Sequence, residues 1–453
     1  MALGGNHLKV GKVFVAGGLP THTYIPRGEY KLEQKVRDYL DEGHRILSIA
    51  GPTKTGKTVL VKRVLATEQV VWLSGGTISS IEDFWQSIAD DLGLITNLES
   101  SNTSTEAESR TTRGEVNVGV GKGGREGQSS TSSATSDKSS RTRPVVSVAR
   151  EALRTGLHIV VIDDFHYVPS EVQLQIVRGP KDLVFDGLPV IVISVPHRAY
   201  DVVRVEKEMT GRVEQLEVGF WSKSELLAIA QRGFEALNVV DAESIAERLA
   251  DESFSSPHLM QSFCLQVCKY NDVRSYVNQS KQLFAPAWEE FFAARAQDAS
   301  RTAFDVLARG PRQRTDRKIR TLKNGVTTDI YGVVLAGIAN TGPRTAITYE
   351  QLRASIRDVI SEELPQRHEV TRVLEEMSKI ARDQIEGEPV VDFDEHLSTL
   401  HISDPYFAFF LKWRVDADVN SAREDVEALP LAEDYRGGIN VGGNILAWRS
   451  RTN

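Results

Sequence analysis

The sequence predicts an α/β fold, in which helices cover both faces of a parallel sheet, followed by a mainly helical region. Near-continuous apolar segments at 45–50, 158–164 and 188–194 alternate with stretches of helical pattern. Strands that are apolar along their whole length are typical of parallel sheets that are buried on both faces. The run 222–270 is helical in pattern throughout, so we expect the sheet to end before it.

The other elements follow from the same periodicities. Further elements are predicted as helices at 29–42, 81–92 and 145–153, and as strands at 69–74 and 213–218. Beyond the helical run, residues 287–415 predict more helices and then a short β element near 389–393. We therefore expect a second, mostly helical part of the chain after the sheet.

Residues 97–143 differ in composition from the rest of the chain. They are rich in Ser, Thr and Gly, and they hold few large apolar residues. Such a segment buries too little apolar surface to offset the entropy lost on ordering. We interpret it as a disordered insertion or a long surface loop. Residues 1–20 are short and Gly-rich and 416–453 are polar and without pattern, so we interpret both as tails.

The composition limits the class of protein. The chain has 453 residues, of which 40% are hydrophobic and 26% charged, and its net charge is −8. This is an ordinary globular composition, and the length suits about three domains. The negative charge excludes a chain-wide surface for nucleic acid but not a local basic patch. No apolar run is as long as a membrane span and no secretory pattern begins the chain, so we expect a cytoplasmic protein without a membrane partner.

Residues 51–58 match the phosphate-binding pattern G-x-x-x-x-G-K-[ST] between an apolar strand and a helical stretch. Gly51 and Gly56 allow backbone N–H groups to face an anion, and the helix N-terminus adds its dipole. Lys57 is expected to reach the β- and γ-phosphates, and the Thr58 hydroxyl is expected to bind Mg²⁺. The predicted ligand-binding residues of the loop are Gly51, Pro52, Thr53, Lys54, Thr55, Gly56, Lys57 and Thr58.

Two carboxylates end the apolar strand 158–164. Asp163 is the expected Mg²⁺ ligand, directly or through a water, and Asp164 would polarise the attacking water. Adjacent carboxylates at a strand end also occur as plain turn caps, and that alternative stays open. Ser194 ends the next strand, where its hydroxyl can contact the γ-phosphate or the attacking water.

Two arginines are further candidates for the catalytic site. Arg198 follows Ser194 closely and could reach the same phosphate, although a surface arginine at a helix start is an equal alternative. Arg212 precedes the last strand of the sheet. A cation there could act as an arginine finger in the site of a neighbouring subunit, or it could pair with Glu208 or Glu214.

With these residues in place, the chain resembles AAA+/STAND-type P-loop ATPases over about residues 20–415. The YIPR sequence at 24–27 is similar to an N-terminal element that lies near adenine in that group, with Pro where the group has Gly. The SPHL sequence at 256–259 is similar to a lid motif whose proline contacts adenine, but it lacks the glycine of that motif. The resemblance implies that Arg27 and Pro257 bind the nucleotide, and that ATP and Mg²⁺ are the cofactors.

The same resemblance implies the domain organisation. It predicts a three-layer P-loop NTPase core at 21–220 that contains the insertion, an all-α lid at 221–285 and a winged-helix-like domain at 286–415. His258 stands where many AAA+ proteins have a sensing arginine, and this departure argues against fast hydrolysis. His401 faintly resembles a nucleotide-sensing element of the winged-helix part, but a structural role is the expected one.

The resemblance also implies a function. ATP and ADP are switch ligands in that group, and slow hydrolysis resets the switch. The implied function is a Mg²⁺-dependent, slowly ATP-hydrolysing conformational switch. Both flanks of the core are too short for an effector domain, so we expect a separate protein partner or effector chain. A homo-oligomer and DNA stay open as further partners.

Three alternatives remain. A DNA-associated AAA+ ATPase, similar to replication initiators or transposition regulators, would bind DNA through the winged helix and the basic run 309–323. That run could equally be a solvated linker or contact the acidic core, and the candidate recognition helix 369–383 carries charges of both signs. A small-molecule kinase is disfavoured because no acceptor pocket is readable. A nucleotide-binding scaffold without turnover would not need the complete set of loop and carboxylate residues.

Overall fold

In the computed structural model, the described residues are 8–94, 97–99, 140–142, 144–195, 212–296, 300–311, 317–342, 344–385 and 389–413. The chain divides into two compact units, one of Gly11–Gly233 and one of Met1–Val10 with Phe234–Asn453. Among the described residues, no helix combines the length and the apolar character that crossing a membrane requires.

The first unit is built on a parallel sheet. The strands of this unit are β1 (Ile46–Ala50), β2 (Gln69–Ser74), β3 (Asn97–Glu99), β4 (Ser140–Thr142), β5 (His158–Asp163), β6 (Val190–Ser194) and β7 (Val213–Glu217). Five of them form one sheet in the order β2-β5-β6-β1-β7, and each pair of neighbours is parallel. The parallel sheet predicted from the apolar segments is confirmed, and β1 lies inside it between β6 and β7.

Helices cover both faces of this sheet. The helices up to residue 236 are α1 (Val10–Val13), α2 (Leu32–Glu42), α3 (Lys57–Val64), α4 (Ile81–Asp91), α5 (Val145–Thr155), α6 (Ser170–Arg178), α7 (Lys181–Phe185) and α8 (Lys223–Ala236), with 3-10 turns at Gly75–Thr77 and Phe165–Tyr167. Successive side chains of a strand point to opposite faces. In β6, Val190 and Val192 therefore pack in the apolar cluster of α4–α7, whereas Ile191 and Ile193 pack in that of α2 and α3. This gives the predicted three layers.

The common direction of the strands positions the candidate site. β1 leads into residues 51–56, β5 ends at Asp163, and β6 ends at Ser194, which pairs in register with Ala50. The carboxyl ends of parallel strands meet at one end of the sheet, where open α/β folds bind their ligands. The loop, the carboxylates and the serine predicted from sequence therefore lie at the same end of the sheet.

The predicted insertion begins and ends differently from the expectation. Backbone groups of β3 and β4 pair antiparallel, with Asn97 opposite Thr142 and Glu99 opposite Ser140. This pairing satisfies backbone donors and acceptors that irregular chain would leave to water. The two ends of the segment predicted as disordered thus form a short ladder, and residues 100–139 between them lie outside the described residues.

The predicted N-terminal tail also differs from the expectation where it is described. Val13 and Phe14 are buried, and the ring of Phe14 lies directly against Gly233. Removing apolar side chains such as these from water favours folding. The Thr23 hydroxyl donates a 2.7 Å hydrogen bond to the carbonyl of Val13. The chain around Val13 is therefore part of the core. The tail predicted at 416–453 lies outside the described residues.

The second unit is mainly helical. Its elements are helices α9 (Glu243–Asp251), α10 (Pro257–Tyr270), α11 (Trp288–Ala296), α12 (Arg301–Arg309), α13 (Ile330–Asn340), α14 (Tyr349–Val359) and α15 (Arg367–Asp383), strands β8 (Val239–Val240), β9 (Lys281–Gln282), β10 (Arg320–Thr321), β11 (Thr327–Thr328), β12 (Ala346–Thr348), β13 (Val391–Asp394) and β14 (Thr399–Ile402), and a helical segment at 405–413. β12, β14 and β13 form an antiparallel sheet in that order. From α13 onward the elements follow the order helix, strand, helix, helix, strand, turn, strand.

The helical segment 405–413 packs on earlier helices of this unit. The ring of Phe409 lies 6.4, 5.1 and 6.0 Å, between centroids, from the rings of Phe254, Phe263 and Phe292. Aromatic rings at these separations add edge-to-face attraction to the apolar burial. Residues from both the predicted lid and the predicted winged-helix-like part therefore share apolar contacts within this unit.

Candidate functional site

The loop after β1 has the backbone geometry of an anion-binding turn. Lys54 and Gly56 take left-handed conformations, with φ of 60° and 94°, and α3 begins directly afterwards at Lys57. Glycine reaches such φ values at no steric cost. Reversals of this kind turn successive N–H groups to one side, next to the N-terminus of a helix. The motif predicted from sequence therefore has the strand, loop and helix that its chemistry requires.

The ammonium group of Lys57 bonds the first residues of the loop. Its Nζ donates hydrogen bonds of 2.7 Å to the carbonyl of Gly51 and 2.8 Å to that of Pro52. A cation held in this position attracts phosphate oxygens to the concave side of the loop. The ammonium group of Lys57 therefore lies at the loop that the sequence predicts to bind phosphate.

Thr58 and Asp163 come together from α3 and β5. The Thr58 hydroxyl lies 3.0 and 3.2 Å from the two carboxylate oxygens of Asp163. Hydroxyl and carboxylate oxygens are the donors that Mg²⁺ prefers, and Mg²⁺ commonly completes its shell with water and substrate phosphate. The donor set fits Mg²⁺, and these two residues would hold it.

Asp164 has a different environment from Asp163. Its backbone is left-handed, with φ of 54°, and its N–H donates a 3.0 Å hydrogen bond to the carboxylate of Asp163. Burial and the neighbouring charge of Asp163 raise the pKa of the Asp164 carboxyl, against the opposing effect of Lys57. A raised pKa makes the Asp164 carboxylate a better proton acceptor than an ordinary Asp side chain.

Ser194 provides a buried hydroxyl at the end of β6. The residue is 1% exposed, and its Oγ has no hydrogen-bond partner within the described residues. A buried polar group without a partner is costly, and in native structures it is commonly explained by strain, a catalytic role, or a bound water or ion. Ser194 lies beside Ala50, which immediately precedes the phosphate-binding loop. This position agrees with a contact to bound phosphate or to water.

Arg27 forms contacts that the sequence did not predict. Its side chain is buried, and it donates to Glu225 and to the carbonyls of Gly219 and Phe220, each at 2.8 Å. Its guanidinium also lies over the ring of Trp221 at 5.3 Å. Arg27 thus connects the N-terminal segment to the chain between β7 and α8. Whether it also binds adenine stays a prediction.

Two further residues at the site had no signal in the sequence. Gly75 follows β2, and a Cβ there would overlap the carbonyl oxygen of Asp164. Trp221 donates from its Nε1 a 2.9 Å hydrogen bond to the carbonyl of Thr55, within the phosphate-binding loop. Both act through contacts between segments far apart in sequence. A glycine after a strand and a tryptophan before a helix are both common, so neither pattern predicts a functional residue.

The remaining predicted site residues lie elsewhere or are not described. Arg212 lies at the amino ends of the strands, because its carbonyl accepts a 2.9 Å hydrogen bond from Ile46, the first residue of β1. It is therefore remote from the loop of its own chain, and both an arginine finger in a neighbouring subunit's site and a pair with Glu208 or Glu214 stay predictions. Arg198 lies outside the described residues. Pro257, which begins α10 after a Ser256 cap, belongs to the second unit.

The basic run 309–323 is largely engaged within the second unit where it is described. Arg317 pairs with Asp329 at 2.7 Å, and Arg320, which is buried, pairs with Glu369 at 2.8 Å. The Nζ of Lys323 donates to the carbonyl of residue 357. These three side chains contact groups on or next to neighbouring helices, so they are not available together for phosphate binding. Arg312 and Arg314 lie outside the described residues.

Comparisons with known proteins give matches among solved structures. No family model matches the chain, and no curated protein matches it. The ORC2 protein of Aeropyrum pernix, in ADPNP–ADP complexes, is 12% identical with a TM-score of 0.47, and the match covers 92% of this chain and 98% of that one. The Walker-type ATPase of Pyrococcus abyssi is 12% identical with a TM-score of 0.46, over 86% of this chain and 100% of that one.

The ORC1 protein of Aeropyrum pernix in complex with DNA is a third match. It is 13% identical with a TM-score of 0.42, over 92% of this chain and 98% of that one. Identities this low assign no activity to the present chain. Its function has to be inferred from its own residues.

Proposed function

We propose that the protein binds ATP with Mg²⁺ and hydrolyses it slowly as a conformational switch. The observation that carries the proposal is the 3.0 Å contact of Asp163 with Thr58, the last residue of the phosphate-binding sequence 51–58. A threonine and a strand-end carboxylate at this separation would hold one Mg²⁺ ion, which would supply positive charge next to bound phosphate. If Thr58 and Asp163 were close by chance, no phosphate-binding loop would be expected beside them.

Each residue has a role in the proposed reaction. Lys57 attracts the β- and γ-phosphates. Thr58 and Asp163 would hold the Mg²⁺, which would supply positive charge against the negative charge that develops on the phosphates. Asp164 accepts a hydrogen bond from the attacking water and orients it in line with the γ-phosphate. Ser194 donates its buried hydroxyl to the phosphate or to the water. Hydrolysis then needs no covalent intermediate, only positioning and charge stabilisation.

The resemblance to AAA+/STAND-type ATPases supports the finer parts of the proposal. These are ATP as the nucleotide, base contacts by Arg27 or Pro257, a phosphate contact by Arg198, and an arginine finger at Arg212 in a homo-oligomer. A switch changes state only if the two nucleotides bind its two conformations with different affinity. We propose that a partner protein reads this change, and that the protein works in the cytoplasm.

A second candidate function is a DNA-associated ATPase. The element order from α13 to β14 matches that of a winged helix, in which the last helix before the hairpin enters the major groove. The residues His368, Arg372, Glu375 and Lys379 are exposed along α15 at intervals of three or four residues. This face is mixed in charge. It favours DNA binding less than the nucleotide site favours ATP binding.

The test of the first proposal is ATP hydrolysis by the purified protein with Lys57→Ala and Asp164→Asn. We expect slow turnover in the unaltered chain and a loss of about a hundredfold or more in both variants. Lys57→Ala should also weaken ATP binding, while Asp164→Asn should leave it within about threefold. Turnover that survives Asp164→Asn would refute the role of this carboxylate, and tight binding without turnover would leave a nucleotide-binding scaffold.

The second candidate is tested by duplex-DNA binding across a series of salt concentrations. Reversal of charge in an Arg372→Glu, Lys379→Glu variant should abolish binding and flatten the salt dependence if α15 contacts DNA. Strong stimulation of hydrolysis by DNA would favour this candidate over the partner-protein switch. An absence of binding at low salt would eliminate it.

A further inference from the structure

The chain between β7 and α8 lies along the phosphate-binding loop. The N–H of Val218 donates a 2.7 Å hydrogen bond to the carbonyl of Ala50. A Cβ on Gly51 would overlap the carbonyl oxygen of Val218, so the backbones touch at the first residue of the loop. Trp221 then bonds the carbonyl of Thr55 at 2.9 Å. The segment 218–221 therefore contacts the loop near its start, at Gly51, and near its end, at Thr55.

The hydrogen bond from Trp221 fixes the direction of one peptide group. In a trans peptide the C=O of one residue and the N–H of the next point in opposite directions. Because Trp221 holds the Thr55 carbonyl on its own side, the N–H of Gly56 is directed away from Trp221. Gly56 itself is left-handed, with φ of 94°, and it directly precedes α3. A loop binds phosphate through N–H groups held in this manner.

Arg27 holds Trp221 in position. Three of its nitrogens donate at 2.8 Å to Glu225 and to the carbonyls of Gly219 and Phe220, which immediately precede Trp221. Glu225 also accepts hydrogen bonds from the N–H and the hydroxyl of Ser222, at 2.8 and 3.0 Å. The planar guanidinium can bond these groups at once, which a lysine ammonium cannot do. The residues on both sides of Trp221 are thus restrained.

We propose that Trp221 is a positioning residue for the phosphate-binding loop, that Arg27 acts through it, and that its target is the polyphosphate rather than the base. The inference rests on the proposed nucleotide binding and deepens it. It assigns Arg27 a role through the loop, in place of the adenine contact that the family resemblance implies. It also predicts that the Trp221–Thr55 bond matters for any ligand carrying a polyphosphate.

The test compares two probes, MgATP and inorganic tripolyphosphate with Mg²⁺, by calorimetry on the full chain. Trp221→Phe keeps an aromatic ring and removes the N–H. We expect its Kd to rise about fivefold for both probes, which corresponds to about 1 kcal/mol at 1.4 kcal/mol per tenfold. Trp72→Phe, the same substitution in β2, is the matched control and should change neither Kd by more than about twofold. Hydrolysis by Trp221→Phe should show a raised KM with kcat nearly unchanged.

Arg27→Lys provides a second variant and a coupling test. It should raise both Kd values about as much as Trp221→Phe does, and the double variant should be no weaker than Arg27→Lys alone, because the two residues act in series. Weaker MgATP binding with unchanged tripolyphosphate binding would overturn the inference in favour of a base contact. Unchanged binding of both probes would also overturn it. If the unaltered chain binds neither probe, the proposed function itself fails, and this inference with it.

Discussion

Asp163 and Asp164 show how neighbouring residues of one type acquire different chemistry. The carboxylate of Asp163 accepts hydrogen bonds from Thr58 and from the backbone N–H of Asp164. Asp164 has a pKa raised by burial and by the charge of Asp163. The carboxylate of Asp163 is therefore held by hydrogen bonds, whereas that of Asp164 is made a better proton acceptor than an ordinary Asp side chain.

The raised pKa of Asp164 has a consequence for stability. A carboxyl whose folded-state pKa lies above its unfolded-state value favours folding at low pH, and this contribution is lost as pH rises through the folded-state pKa. Asp164→Asn should therefore raise Tm by about 1–3 °C at about pH 8 in the absence of Mg²⁺. The gain should vanish as pH falls toward the ordinary Asp value of about 4. Calorimetry across pH checks this, with Asp91→Asn on the exposed end of α4 as control.

A Tm for Asp164→Asn that equals that of the unaltered chain at both pH values would contradict this electrostatic account. A lower Tm at about pH 8 would show that the charge of Asp164 stabilises the ligand-free fold. The exposed Asp91 variant separates the effect of position from the effect of removing one negative charge.

The hydroxyl of Ser194 allows a test at a single atom. Removing a buried hydroxyl without a partner costs little stability, so Ser194→Ala should unfold at nearly the same denaturant concentration as the unaltered chain. If the hydroxyl contacts the phosphate or the water, hydrolysis should fall about a hundredfold with little change in ATP affinity.

Ser48 supplies the matched control for Ser194. Its hydroxyl is equally buried and also lacks a partner among the described residues, but it lies in the middle of β1. Ser48→Ala should leave both stability and hydrolysis nearly unchanged. Equal rates for the two variants would show that Ser194 has no part in the reaction.

At the level of elements, the end of β2 determines where the strand-end carboxylates lie. Ser74 pairs with Asp163, and Gly75 then contacts the carbonyl of Asp164 so closely that no side chain fits. Gly75→Ala should destabilise the first unit by about 2 kcal/mol and reduce hydrolysis, because the backbone of Asp164 must move. Urea denaturation and a turnover assay measure the two effects.

The adjacent glycine is the control for this prediction. A Cβ on Gly76 would lie 3.8 Å from the nearest atom, the Oγ of Ser74, which is an ordinary contact. Gly76→Ala should therefore fold and hydrolyse ATP normally. If Gly75→Ala behaves in the same way, the position of the carboxylates does not depend on the β2 contact.

At the level of the whole molecule, the second unit has its own buried charge network. Glu252 is 1% exposed and accepts hydrogen bonds from Lys412 at 2.7 Å and from the Trp413 indole at 3.1 Å. Glu252→Gln leaves Lys412 without its counter-charge, so the second unit should lose about 2 kcal/mol, or about 5 °C in Tm. MgATP should stabilise the first unit alone if it binds only there. Scanning calorimetry with and without MgATP distinguishes the two units.

Glu247→Gln is the control for the network, because this exposed residue lies on α9 near Glu252. It should change no transition by more than about 1 °C. If Glu252→Gln lowers both transitions equally, the two units unfold as one and the assignment of separate cores is wrong.

Much of the fold of the first unit was predictable from the sequence, because the residue patterns that specify it are local. The apolar strands and the loop 51–58 each carry their information within a few residues, so the parallel sheet, the loop and the carboxylates beside it were predictable. The ladder of β3 and β4 and the buried chain around Val13 were not. Their stability comes from partners far along the chain, which no local pattern reports.

The contacts of the site divide in the same way. Lys57, Thr58 and the two aspartates follow from motifs, since phosphate and Mg²⁺ chemistry restricts both residue type and spacing. The contacts of Arg27 with Glu225 and Trp221 join residues up to 198 positions apart. These contacts form only when β7 lies beside β1. Only the tertiary structure shows that Trp221 contacts the loop and that Arg27 contacts Trp221, because both contacts depend on which strands become neighbours.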